Sequence, residues 1–72
     1  MIDIVELGMK YRHFKGNEYI VHHVAKHSET LEEYVVYQAL YGEMGIWVRP
    51  LTMFCEKVMV GNKLFDRFEK IE

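Results

Sequence analysis

The sequence predicts a mainly β fold, a small SH3-like barrel of four or five antiparallel strands with one short helical turn. Short runs rich in β-branched and aromatic residues recur at 8–14, 19–26, 34–41 and 46–49. Turn-forming residues separate them, at Lys15-Gly16-Asn17-Glu18, Gly42-Glu43-Met44-Gly45 and Gly61-Asn62. A chain of 72 residues also has too little surface to bury for a flat sheet with nothing packed on it, so the sheet is expected to curl on itself.

Residues 8–14 and 19–26 pair as a first hairpin across the Lys15–Glu18 turn. The polar stretch 27–33 breaks the pattern, and Thr30 with Glu33 has the spacing of a capping box, so a connecting loop with at most one helical turn is expected there. Residues 34–41 form the strongest strand and make a second hairpin with 46–49. Pro50 has no ladder donor and should close that strand. Thr52 is then a candidate N-cap for a short 3₁₀ or α segment within 51–58. After 58–60 and a Gly61-Asn62 turn, residues 65–71 return as one final strand against the first. The competing arrangement places a helix at the N-terminus, from the i, i+3, i+7 spacing of Ile2, Val5 and Met9, with Gly8 arguing against it. No internal repeat or linker divides the chain, which reads as a single domain over 1–72.

Half of the residues are hydrophobic and 28% are charged with both signs mixed, as in ordinary globular domains. Nine basic against eleven acidic residues give a formal charge of −2, so no bulk cationic field draws in nucleic acid or an anionic membrane. The lone Cys55 excludes an intrachain disulfide and every multi-cysteine zinc pattern. No apolar run approaches the ~20 residues of a membrane span, and the first six residues lack the pattern of a signal peptide. A cytoplasmic location without membrane contact is the expectation.

The candidate site begins with Ile46-Trp47-Val48-Arg49-Pro50. A strand alternates faces, so Trp47, the sole tryptophan, shares a face with Arg49. Turned to solvent, an aromatic plane beside a planar guanidinium seats an anion, a peptide carboxylate or a stacked base; turned inward, Trp47 is core. Tyr11, His13 and Lys15 share a face of the first strand in the same way, and with neighbouring Arg12 they complete an aromatic and basic groove if the two faces meet at the barrel mouth.

Other chemistry is weaker. His22 and His23, adjacent in a strand, should point to opposite faces, and His23 and His27 would stand ~13 Å apart, so no strand-borne pair shares an ion. Only a cross-strand pair such as His13 with His23 could. His27-Ser28-Glu29-Thr30 gathers a base, a hydroxyl and a carboxylate, yet sequence neighbours rarely converge as a triad, and a self-capping loop is the better reading. Cys55 lies beside Phe54 and Glu56, where burial and an acid both hold a thiol protonated. Neither a metal nor a cofactor is indicated.

The YRHFKG opening at 11–16, the HSET loop at 27–30, VVYxxLYG at 35–42 and WVRPxxMF at 47–54 closely resemble a family of small bacterial domains described only as a domain of unknown function. The resemblance spans roughly residues 8–71 and implies a compact domain that often stands alone. It transfers no activity, ligand or catalytic residue. The expected function is therefore a non-catalytic binding module that holds a peptide or small anionic ligand on Trp47 and Arg49, helped by Tyr11, Arg12, His13 and Lys15. The alternatives are an RNA or single-stranded DNA binder, which stacks bases on the same rings, and a small enzyme using the loop of His27, Ser28 and Glu29. A homodimer would bury an exposed aromatic strand.

Overall fold

The computed structural model describes residues 4–72. Seven strands and one helical turn follow in order: β1 (Lys10–His13), β2 (Glu18–Lys26), β3 (Glu33–Ala39), β4 (Ile46–Pro50), α1 (Leu51–Phe54), β5 (Lys57–Val60), β6 (Lys63–Asp66) and β7 (Phe68–Lys70). Five of them form one antiparallel sheet in the order β4-β3-β2-β1-β7, and β5 with β6 makes a separate two-stranded sheet. The mainly β fold with one short helix is as the sequence predicts.

Cross-strand partners share a face, and the register gathers the aromatic residues on one. Tyr11 stands opposite Tyr19, Tyr19 opposite Ala39, and Tyr37 opposite both Val21 and Trp47. Tyr11, Val21, Val35, Tyr37, Phe54 and Phe68 make the buried cluster, with Val5, Tyr19, Leu51 and Cys55 packed against it. Burying side chains as completely as Val21, Val35 and Phe54 stabilises by roughly 1.5–3 kcal/mol each. The sheet curls enough for Arg49 of β4, one edge, to lie 5.6 Å over the Phe68 ring of β7, the other edge. That closure is made by side chains; no backbone ladder joins β4 to β7.

Both predicted hairpins form. His13 N–H donates to the Asn17 carbonyl at 2.8 Å and Gly16 N–H to the His13 carbonyl at 2.7 Å, with Gly16 at φ +108°, a conformation that L side chains rarely adopt. Pro50 ends β4, as expected, but it also occupies the N-cap position of α1, which has no side-chain cap. Thr52 is therefore inside the helical turn and not its cap. The predicted strand at 65–71 is split at Arg67. Its first half pairs with β5 and its second with β1, because Arg67 N–H donates to the Glu56 carbonyl and its own carbonyl accepts from Phe14. The N-terminal helix is absent from residues 4–9; Ile2 lies outside the described residues, and Val5 reaches the core from irregular chain.

A β-bulge between Val21 and His23 overturns the expected opposition of His22 and His23. One extra residue slips the alternation, so His22 bonds Gln38 on the outer face (2.8 Å) while His23 stands opposite Val36, which is on that face as well.

Candidate functional site

Arg49 and Trp47 do share a face, and it is the inner one, since their partners across the ladder are the buried Val35 and Tyr37. The two differ in depth. Arg49 is half-buried: its Nε donates to the Tyr37 hydroxyl at 3.3 Å and its guanidinium lies against Phe68. Trp47, nearer the open end, remains 57% exposed, with its indole nitrogen next to Gly45. A Cβ on Gly45 would sit 3.4 Å from that nitrogen, so the glycine leaves room for the ring.

The curl brings β1 to the same place. His13 stands opposite Phe68 in the register, and the two rings meet edge to face at 5.0 Å. Its pKa is held below the ordinary 6.5, first by burial and then by the positive charges of Arg49, Arg67 and Lys15. His13 Nδ1 accepts the Lys15 N–H at 3.2 Å, a bond that requires this nitrogen unprotonated. Arg49 and His13 thus meet at one buried phenyl ring, Phe68, with the positive charges of Arg67 and Lys15 close enough to act on His13, in a chain of net charge −2.

Of the remaining predicted residues, Tyr11 is buried, and its hydroxyl accepts the Glu6 N–H at 2.9 Å, so it supports the site from beneath. Arg12 points to the other face and pairs with Glu18 at 3.1 Å. It lines, with His13, Phe14, Phe65, Asp66 and Glu69, a shallow cavity of about 170 Å³ beside the basic cluster. Arg67 and Phe68 escaped the sequence reading. Nothing in their composition announces the break at Arg67; only the β5–β6 pairing creates it. Arg67 donates to Glu56 Oε1 at 2.9 Å, while its buried Nε has no hydrogen-bond partner.

The other sequence candidates hold no assembled chemistry. His27 Nδ1 accepts the backbone N–H groups of Glu29 (3.1 Å) and Thr30 (3.3 Å), and Thr30 Oγ1 accepts that of Glu32 (3.2 Å). This is the self-capping loop the sequence suggests, although Thr30 serves Glu32 and starts no helix. Among the described residues no three metal-ligating side chains cluster, and no helix is long and apolar enough to cross a membrane. Cys55 packs against the core.

Comparison with known proteins gives a consistent result. A family model described as protein of unknown function (DUF1653) matches residues 9–70. A crystal structure of a DUF1653 protein from Bordetella bronchiseptica is similar at 33% identity with a TM-score of 0.84, covering 99% of this chain and 92% of that one. No curated protein matches. The family match takes in β1 through β7, and with it every strand that builds the basic cluster: the chain belongs to the DUF1653 family.

Proposed function

We propose that this domain is a non-catalytic binding module that takes an anionic group, a peptide carboxylate or a small anion, on the inner rim around Arg49. One observation carries the reading. Of the three arginines, Arg12 and Arg67 each pair with a carboxylate, while among the described residues Arg49, whose guanidinium lies over the Phe68 ring, pairs with none. A half-buried cation held by a hydroxyl and a ring face keeps its terminal N–H groups for a ligand, and a planar fork suits a carboxylate or phosphate. The neighbouring charges of Lys15 and Arg67 add attraction for an anion, and Trp47 offers a flat apolar wall at the open side.

The exposed indole also supports a second reading, in which a nucleic-acid base stacks on Trp47 while Arg49 meets a phosphate. Both are tested by titrating isotope-labelled protein with acetate, inorganic phosphate, a short acidic peptide and an oligonucleotide. Saturable shifts at the Arg49 side chain and His13, lost in Arg49→Gln, are expected. Binding confined to the oligonucleotide and steeply weakened by salt would select the second reading. Silence at Arg49 and His13 with all four would overturn both.

A further inference from the structure

β4 is one edge of the main sheet, and no strand pairs with its outer side among the described residues. Natural edges are usually guarded by charge or bulges. Here Ile46 and Val48 are 64% and 62% exposed, Trp47 is exposed too, and the one charge, Arg49, is turned to the inner face.

What this edge offers follows from the ladder. Ala39 N–H donates to the Gly45 carbonyl at 2.9 Å. In an antiparallel ladder the bonded pairs alternate, so Trp47 and Arg49 direct their backbone groups to β3, while Ile46, Val48 and Pro50 direct theirs outward. The residue without an N–H therefore lies on the unpaired side, where its missing donor costs the sheet nothing.

We propose that this edge is an interface for a second copy of the chain, which adds antiparallel about a two-fold axis at Val48. The strand is self-complementary in that register. Val48 meets the partner's Val48 and exchanges both backbone bonds, and Ile46 donates to the carbonyl of the partner's Pro50. On the outer face Ile46 packs on the partner's Pro50, twice. On the inner face Trp47 stands opposite the partner's Arg49, also twice, in the closely spaced non-bonded type of pair. An indole face and a guanidinium attract one another. An axis at Trp47 would instead set the two indoles together and leave Arg49 opposite Gly45, without an aromatic partner. The interface does not depend on the anion reading, because it forms without an added ligand.

Sedimentation equilibrium of the full chain from micromolar to millimolar concentration tests the inference. The wild type should be a dimer in this range. Val48→Pro keeps the β3–β4 ladder, because the lost N–H is an outward one, and should be monomeric with an unchanged circular dichroism spectrum; if it fails to fold, Val48→Lys replaces it. Trp47→Ala should weaken the dimer by roughly tenfold through two lost stacked pairs. In a Cys55→Ser background, mixed Trp47→Cys and Arg49→Cys chains should cross-link to each other on oxidation. A monomeric wild type, a dimer that survives the Val48 variant, or cross-linking of Trp47→Cys only to itself would overturn the inference.

Discussion

The rings of Phe54 and Phe68 lie parallel, with centroids 4.0 Å apart and planes 4° from each other. One comes from the helical turn after β4 and the other from the first residue of β7, so this pair fastens the two ends of the curled sheet where no backbone ladder does. Tyr37 approaches both rings edge-on, at 5.3 Å and 5.5 Å.

Phe68→Ala should cost about 3–5 kcal/mol, the usual range for truncating a buried phenyl ring. That is a large part of the stability of so small a domain. Phe54→Leu, which keeps most of the volume, should cost under about 1.5 kcal/mol. Urea denaturation of both variants checks the order; equal losses would deny the pair its role in closing the sheet.

His13 makes stability depend on pH on the acid side. Its folded pKa lies below the ordinary 6.5, so the unfolded chain takes up the proton first as pH falls. The contribution is complete above 6.5 and declines as pH drops from there through the folded value. His13→Gln should flatten this decline in thermal melts. In Arg49→Gln the His13 pKa should rise toward its ordinary value without reaching it, since burial is the larger cause, and a ring-proton titration reads this directly.

Tyr19 acts at the opposite extreme. Its pKa is pushed up to about 12, first by burial and next by the 2.8 Å hydrogen bond between its hydroxyl and that of Tyr41. Stability from this group is complete below the ordinary 10.0 and is lost as pH climbs through the folded value. Tyr41→Phe should lower the Tyr19 pKa but leave it above 10.0, as ultraviolet titration of the phenolates would show.

Leu31 sits at φ +64° in the loop capped by His27, and its side chain is exposed. A left-handed backbone brings the Cβ of an L-residue too close to the following carbonyl oxygen, while glycine, without a Cβ, adopts it freely. Leu31→Gly should therefore stabilise the domain by about 0.5–1 kcal/mol, the relief of strain less the added freedom of the unfolded chain. A lower melting temperature would mean that Leu31 makes a contact worth more than its strain.

Which parts of this fold were legible depends on the range of the forces involved. The two hairpin turns and the stop at Pro50 are local, set by backbone preferences of the residues themselves, and the sequence locates them, the first turn one residue late because Glu18 already belongs to β2. The His22–His23 bulge was illegible because alternation assumes an unbroken ladder, and the slip exists only against Val36 and Tyr37 of another strand. The break at Arg67 is hidden for the same reason, since its N–H and carbonyl answer to Glu56 and Phe14. Strand alternation suffices to set Trp47 and Arg49 on one face. Their unequal burial could not be read, because it comes from Phe68 arriving from the far end of the chain.

The seam at Arg67 separates two registers: β6 keeps step with β5, and β7 keeps step with β1. The turn at Gly61-Asn62 can therefore be lengthened, or a peptide tag inserted there, without moving Phe68 relative to His13. In related chains, insertions and deletions should accumulate at that hairpin tip, leaving the spacing from Arg67 to Lys70 untouched.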